Sequence, residues 1–388
     1  MKTTTIQVMG LLALSSAGVT AAGGDFMQKL SDKVTFTAHG NFVAGVSSGE
    51  AADLATHGHD PNQDRSIQGI DFGLSLRAND YVEGFINGNL FLDAEDKMDT
   101  EWEEGFLKLK NLPGGFELRG GRYLNRLGTQ NNVHLHGWRF VDADLATGLF
   151  LGEDGLRTEG VELSWVKPYD YGNFILSGSY GNALEHVHEE DHSGHSEAEE
   201  TTEKSFFNGE LLTLRAQFGY NADDFNYHTV GLNYATGENG FGRDSELFSV
   251  DYQYQWRENG LEAGGKEWLA GVEYMQRDVE WVDEMIPSLQ GETSQKSVMV
   301  KVGHTFADDW NLTARYGRIQ GVTDGSFVTD ERRRLSLALT HSYTLSDQWN
   351  GYARLQYNHD ELQSNDSEDS LWLQLGVSFG AKGVSEVR

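Results

Sequence analysis

The sequence predicts an all-β fold, namely a transmembrane antiparallel β-barrel of about sixteen strands with long extracellular loops. Three observations predict it. Apolar and polar side chains alternate with a period of two in segment after segment, as strands with two different faces require. All 4 prolines fall between the predicted strands, because a closed ladder needs every backbone N–H. The connections between these segments alternate between short and long, which is typical of outer-membrane barrels.

The first residues predict an export signal. Met1-Lys2 is a short basic start, residues 6–17 are moderately apolar, and Val19-Thr20-Ala21 has the small residues of a cleavage site. This is the pattern of a secretory signal peptide, so we expect residues 1–21 to be removed. The expected mature parts are a periplasmic segment at 22–32, the barrel at 33–380 and a periplasmic tail at 381–388.

The alternation defines the strands in order along the chain. In 248–256, FSVDYQYQW, an apolar or aromatic side chain occupies every second position. Each segment has about the length that a tilted strand needs to cross a bilayer. The predicted strands are 33–46, 67–78, 81–93, 102–110, 116–124, 157–167, 171–182, 210–221, 225–236, 245–257, 266–277, 296–306, 310–319, 333–344, 349–358 and 370–380.

The connection lengths support a barrel over a soluble secreted β-sandwich, in which short and long connections would not alternate. The link at 258–265 is longer than a tight turn, so the register of its flanking strands is open. Short links are predicted at 79–80, 111–115, 168–170, 222–224, 307–309 and 345–348. Longer ones are predicted at 47–66, 94–101, 125–156, 183–209, 237–244, 278–295, 320–332 and 359–369.

Composition limits the partners. The chain has 60 acidic and 30 basic residues, a formal net charge of −30, which attracts cations and argues against nucleic acid. It has no cysteine, so disulfides and thiolate metal sites are excluded.

Histidines concentrate in the long links, which hold nine of the 13 in the chain. The stretch EHVHEEDHSGHSE at 185–197, in the loop 183–206, has too few apolar side chains to form a core. Neutral imidazole binds divalent Zn, Cu or Ni, and neighbouring acids supply further oxygens. The alternative is a solvated acidic loop that bridges lipopolysaccharide through Mg or Ca. The predicted metal ligands are His57, His59, His134, His136, Asp142, His186, His188, Glu189, Asp191, His192 and His195.

The link 125–156 differs from the other long links because it carries apolar anchors, among them Trp138, Phe140 and Phe150. We expect it to pack in the barrel mouth or lumen as a constriction. The side chains that would then line the route are His134, His136, Asp142 and Asp144.

The remaining charged and imidazole side chains are assigned to a face by the alternation. His39 alternates with Phe36 and Phe42 and is expected to face the lumen. The outward histidines near the short-turn end, interpreted as interfacial, are His228, His304 and His341. Several basic residues are expected to point inward, where they either face the acidic loop or simply hydrate a polar lumen. They are Arg77, Lys108, Lys110, Arg119, Arg215, Lys301 and Arg315.

Residues 81–168 resemble a family of bacterial outer-membrane barrels. The matching elements are Gly121-Arg122-Tyr123, Gly128, Asn131, His134, His136, Trp138 and Phe140-Val141-Asp142, followed by FLGEDGL and Gly-x-x-Leu-Ser-Trp. The family is commonly labelled zinc-regulated, TonB-dependent outer-membrane receptors. The resemblance implies expression under zinc limitation and a role in zinc acquisition.

TonB-dependent receptors carry an N-terminal plug inside a barrel of about 22 strands. Between Ala22 and the first predicted strand this sequence has GGDFMQKLSD, so we expect no plug and a passive, porin-like conduit. TonB coupling is therefore not part of the predicted mechanism.

The sequence thus predicts an outer-membrane channel or receptor that acquires zinc, with Zn²⁺ as the transported or bound ion and no organic cofactor. A general diffusion porin with incidental histidines is the main alternative, and an adhesive or structural barrel is a further one. An enzyme is not expected, because Ser177, Ser179 and Ser249 have no catalytic neighbours. The residues leave zinc against copper or nickel open. Outer-membrane lipid and lipopolysaccharide are the expected surroundings, and a homotrimer is compatible with this interpretation.

Overall fold

The computed structural model is a closed barrel of sixteen antiparallel strands. The predicted fold class is confirmed. No helix in the described part of the chain is long and apolar enough to cross a membrane. The structure describes residues 33–49, 65–92, 98–152, 155–184, 207–262, 264–283, 285–307, 309–324, 327–363 and 366–380.

All sixteen predicted strands are present in the barrel. Within the described residues, two short strands form a separate hairpin outside the barrel sheet, an α-helix, α1, spans Leu145–Leu151, and a 3-10 turn spans Leu135–Gly137. The strands are β1 Val34–Ser47, β2 Arg65–Arg77, β3 Val82–Leu92, β4 Met98–Leu112, β5 Phe116–Leu124, β6 Arg157–Tyr169, β7 Gly172–Leu184, β8 Phe207–Asn221, β9 Asn226–Asn239, β10 Asp244–Arg257, β11 Glu267–Val282, β12 Gln290–Ala307, β13 Trp310–Ile319, β14 Val322–Asp324, β15 Phe327–Thr329, β16 Arg332–Thr344, β17 Trp349–Leu362 and β18 Ser367–Phe379.

The barrel closes where β1 pairs with β18, from Ala38 opposite Phe379 to Ser47 opposite Ser370. Closure leaves no strand edge with unpaired backbone groups. The register around the link 258–265 is regular, because β10 and β11 pair without a shift as far as Arg257 opposite Glu267.

Several strands run further toward the long-loop end than predicted. β11 continues to Val282, β12 starts at Gln290 and β17 reaches Leu362. The predicted long links at 278–295 and 359–369 are therefore mostly strand. Their outward side chains turn polar there, so apolar periodicity ended these strands too early.

Two consequences follow at the same end of the barrel. The predicted link 237–244 shrinks to a tight turn after Asn239, in which Asn239 N donates to Arg243 O at 2.8 Å. His359 was expected in the last long link, but it lies on β17, where its Nδ1 is 2.8 Å from Asp369 Oδ1.

The outward face of the barrel is apolar. Leu107, Val161 and Leu163 expose 61%, 54% and 52% of their surface, which is costly in water and favourable against lipid. Toward the short-turn end the belt is bordered by aromatic rings. His304 stacks on Trp268 at 3.9 Å between centroids, and His341 stacks on Trp310 at 4.4 Å. These histidines thus belong to an aromatic border of the kind found at membrane interfaces.

Three neighbouring strands approach closely at a row of glycines. Gly121 pairs with Gly160, and Gly160 pairs with Gly181. A Cβ on Gly160 would lie 2.2 Å from Tyr180 O, and one on Gly181 would lie 2.3 Å from Glu159 O. Even a methyl group at these positions would therefore push β6 and β7 apart.

We expect Gly160→Ala to lower barrel stability by about 1–3 kcal/mol, because the added carbon overpacks against backbone atoms that cannot rotate away. Gly105→Ala on β4 is the matched control, since a Cβ there meets nothing within 4 Å. The measurement is the urea midpoint of the refolded barrel, followed by its heat-modifiable gel mobility. Equal midpoints for the two variants would contradict the predicted close approach.

Candidate functional site

The link 125–156 folds into the barrel, as predicted. Phe150 and Leu127 are 0% and 1% exposed, and they share one apolar cluster with inward side chains of six strands. The helix α1 begins at an N-cap, where the Asp144 carboxylate accepts from Ala146 N and Thr147 N, both at 3.1 Å. The wall residues of this cluster are Ala183, Phe207, Leu211, Ala235, Leu247, Met275 and Ile319.

Asp142 ties this link to a second part of the wall. Its Oδ1 accepts from Arg315 Nη2 at 2.6 Å and from Gln356 Nε2 at 2.8 Å. Its Oδ2 accepts from Arg334 Nη1 at 2.7 Å and from Asn358 Nδ2 at 3.3 Å. Burial alone would raise the pKa of Asp142, but the charges of the two arginines outweigh it and hold the pKa below its usual range.

The backbone that precedes Asp142 is held by β17 and by β2. Arg354 donates to Trp138 O at 2.7 Å and to Phe140 O at 2.8 Å. Val141 N donates to Gln356 Oε1 at 2.7 Å, and Val141 O accepts from Gln68 Nε2 at 2.9 Å. We call Arg315, Arg334 and Arg354 the arginine anchor. The link thus contacts well-separated parts of the wall and crosses the lumen.

His134 enters a carboxylate pair on β4. Its Nδ1 lies 3.0 Å from Glu103 Oε2 and its Nε2 lies 2.9 Å from Glu104 Oε2. His134 is buried, with 4% exposure. An ionised carboxylate only accepts hydrogen bonds, so each of these contacts needs a proton on the imidazole nitrogen or on the carboxyl oxygen.

His136 lies beside this pair and reaches the first two strands. Its Nδ1 is 3.1 Å from Asp71 Oδ2 on β2, and its ring stacks on His39 of β1 with 3.8 Å between centroids. The rings of His134 and His136 are 5.8 Å apart. The inward direction predicted for His39 agrees with this contact. We call His39, Asp71, Glu103, Glu104, His134 and His136 the histidine–carboxylate cluster.

A β-bulge explains why two consecutive glutamates point inward. Asn87 of β3 is opposite Glu104, whereas the next residue, Gly88, is opposite Trp102. Glu103 is the extra residue, and a bulge re-aims such a side chain. Glu103 and Glu104 were not among the predicted ligands, and the signal that could have found them is the break in alternation at EWEEGF. Asp71 was not among them either, although the alternation places that residue inward.

The cluster could hold a divalent cation only after rearrangement. In the described part of the chain, no three His, Cys, Asp or Glu side chains surround one point at which an ion would sit. A cavity of about 20 Å³, which suffices for one water, adjoins His134 and Glu103 and is also lined by Gln130, Asn131 and Trp138.

The other predicted ligands divide into two groups. Asp142 serves the arginine anchor, and its four donors leave it no coordination position in this arrangement. The remaining positions lie outside the described residues, so their metal role stays a prediction. They are His57, His59, His186, His188, Glu189, Asp191, His192 and His195.

The predicted inward basic residues are mostly paired with acids. Arg119 contacts Glu162 at 2.8 Å and Arg215 contacts Asp251 at 2.8 Å. The lumen is therefore neither a plain hydrated surface nor a set of free positive charges at these positions. Further pairs join Lys108 with Glu117, Lys110 with Glu83, Arg77 with Glu83 and Arg315 with Asp142.

Several solved structures share this architecture. An anion-selective porin from Comamonas acidovorans covers 89% of this chain and 99% of its own at a TM-score of 0.52 and 11% identity. The fold is that of the porins. The outer membrane channel DcaP of Acinetobacter baumannii covers 89% and 96% at 0.53 and 9%, and Pseudomonas putida OprB covers 92% and 97% at 0.51 and 10%. At such low identities the likeness concerns the fold.

Sequence comparison adds little to this porin-type fold. No family model matches the chain. An uncharacterized protein of Aquifex aeolicus (strain VF5) is 34% identical over 77 residues, which are 20% of this chain. The chain spans 16% of the length of that relative.

Proposed function

We propose that the chain is an outer-membrane channel that admits divalent transition-metal ions, zinc in first place, to the periplasm. The porin-type fold and the apolar outward belt support the channel and its location. One observation carries the metal assignment: the link that crosses the lumen brings His134 and His136 against Asp71, Glu103 and Glu104. An ion in transit along this wall would meet imidazole nitrogens and carboxylate oxygens, the donors that zinc prefers.

The external histidines supply the first step of the proposal. The loop 185–206 would capture ions at the outer surface, and the net charge of −30 would raise their local concentration there. The stretch 185–197 has too few apolar side chains to form a core, so we expect it to bind ions more weakly than a preformed site would, which suits capture followed by release. Capture outside and passage along the lumenal cluster would then act in sequence.

A general diffusion porin has equal support from the fold. Under that alternative, zinc would pass no faster than other ions of its size and charge, and the histidines would only hold the link in place. The two functions predict different results when the external histidines are removed: zinc flux falls if they capture the ion and stays unchanged if they are incidental.

The experiment measures zinc entry into liposomes that hold a fluorescent zinc indicator. We expect deletion of 185–206 to slow entry several-fold at micromolar zinc, where capture limits the rate, and to have little effect at millimolar zinc. Magnesium entry, followed with its own indicator, should stay unchanged, because Mg²⁺ prefers oxygen ligands. His304→Gln, in the aromatic border, is the control for a histidine outside the route. If the deletion slows neither zinc entry nor magnesium entry relative to the parent, the general porin is favoured.

A further inference from the structure

We propose that the histidine–carboxylate cluster is a zinc-exchange site inside the barrel, in which the incoming ion replaces protons that now bridge imidazole and carboxylate. The inference rests on the proposed function, because it assigns the internal ligands for the same cargo. It adds His39, Asp71, Glu103 and Glu104, four residues from the wall, to the two histidines of the link.

The distances favour replacement of a proton by a metal ion. The three nitrogen–oxygen contacts measure 3.0, 2.9 and 3.1 Å. A tetrahedral zinc with bonds of about 2.0–2.2 Å separates two ligand atoms by about 3.3–3.6 Å. Each contact would thus need to open by only a few tenths of an ångström for zinc to take the proton's place. Water molecules would complete the coordination, as they do at open zinc sites.

The donor set selects the class of ion. Each contact joins one nitrogen and one carboxylate oxygen, a combination that suits zinc and its transition-metal neighbours. Magnesium and calcium prefer all-oxygen surroundings, so imidazole nitrogens are poor ligands for them. The site would therefore distinguish a transition metal from the alkaline-earth ions.

The charge balance makes the exchange reversible. Each contact of His134 with Glu103 and Glu104 holds one proton, on the ring nitrogen or on the carboxyl oxygen. Zinc binding at one of these contacts removes the proton that bridges it and adds two positive charges, so each ion bound releases one proton. Each imidazole nitrogen and its carboxylate oxygen stay linked throughout, either by a shared proton or by the shared metal ion. An ion can therefore leave without leaving a buried charge unpaired, which a conduit requires and a permanent structural site does not.

The spacing provides two adjoining stations. His134 with its glutamates forms one, and His136 with Asp71 forms the other, with ring centroids 5.8 Å apart. His39, stacked on His136 at 3.8 Å, places a third imidazole beside the second station. An ion can thus exchange one ligand at a time between the stations instead of recovering its full hydration shell.

The test uses a variant without external histidine clusters, namely deletion of 185–206 combined with His57→Ala and His59→Ala. Zinc chloride is titrated calorimetrically into this refolded barrel at pH 7, in two buffers of different ionisation enthalpy. We expect about one zinc per chain and release of about one proton per ion. Zinc X-ray absorption should show mixed nitrogen and oxygen coordination without sulfur.

Variants of the cluster then identify the ligands. His134→Gln and the pair Glu103→Gln/Glu104→Gln should each weaken zinc binding at least tenfold, and Glu104→Gln alone serves if the pair fails to fold. His304→Gln and His341→Gln, in the aromatic border, should bind like the parent. Absence of zinc binding in the loop-deleted barrel, or binding that no cluster variant weakens, would overturn the inference. Zinc flux is measured on the same protein, so flux without internal binding rejects this site and leaves the proposed function standing.

Discussion

Asp142→Asn should destabilise the lumenal position of the link 125–156 by about 3–5 kcal/mol, the cost of removing one partner from a buried ion pair. The substitution leaves the guanidinium groups of Arg315 and Arg334 buried, at 3% and 2% exposure, without the carboxylate that now lies 2.6 and 2.7 Å away. Asp360 remains beside Arg334 at 3.0 Å and compensates only one of the two. The link should therefore leave the wall in a substantial fraction of molecules.

Single-channel recording and limited proteolysis measure this effect. The variant should show larger and noisier conductance, and cleavage within 125–156 that the parent resists. Glu331→Gln is the matched control, because Glu331 also pairs with two arginines, Arg318 and Arg333, but on the exposed outer face. Exposed pairs contribute about 0.2–1 kcal/mol. Unchanged conductance and protease resistance in Asp142→Asn would show that the arginine anchor does not hold the link.

The same anchor predicts a pH dependence. Since the pKa of Asp142 is lowered in the folded protein, its contribution is complete above the unfolded value of about 3.9 and is lost as pH falls through the lower folded value. Parent conductance should therefore hold from pH 7 to about pH 4, as far as this group is concerned, and change below that. Asp142→Asn should lack this transition, and a transition of equal size in both proteins would assign it to other carboxylates.

Neutralising the wall carboxylates should have the largest effect on transport. The triple variant Asp71→Asn/Glu103→Gln/Glu104→Gln keeps the shape of the wall but removes three negative charges beside the route. At an effective dielectric constant of about 20, one unit charge 4 Å from another contributes about 4 kcal/mol. Only about 1.4 kcal/mol is needed for a tenfold change, so we expect zinc permeability to fall at least tenfold.

The measurement compares reversal potentials under zinc gradients with conductance in potassium chloride, which should change less than the zinc permeability. The control carries Glu159→Gln, Glu210→Gln and Glu246→Gln, three exposed carboxylates on β6, β8 and β10. Both variants lose the same net charge, so a similar loss of zinc permeability would attribute the effect to overall charge. If the triple wall variant carries the same zinc current as the parent, the cluster is not part of the route.

Most of the fold could be predicted from the sequence because a barrel wall has one lipid face and one lumenal face. Segments such as 248–256 record that difference at every second residue. The prediction began β12 too late and ended β17 too early, where the outward face leaves the apolar belt. Beyond it, hydrogen bonding continues the strand although the apolar signal stops.

The candidate site was predicted in part. His134 and His136 stand out as spaced histidines in a link with apolar anchors, and the alternation turns His39 inward. Glu103 could not be assigned, because a bulge opposite Asn87 and Gly88 breaks the alternation that gives the side-chain direction. Nor could the role of Asp142 be read from its neighbours, since Arg315 and Arg334 are 173 and 192 positions away in the sequence.

These separations also order the events of folding. Val141 N bonds to Gln356, 215 residues further along the chain, and Arg354 holds Trp138 O from 216 residues away. Contacts between such distant residues form late, because the intervening chain must first be closed into a loop. The part of the link around Asp142 thus lacks its contacts with Arg334, Arg354 and Gln356 until β16 and β17 are in place. Ordering of this link would accordingly be a final, slow kinetic phase that follows assembly of the last strands.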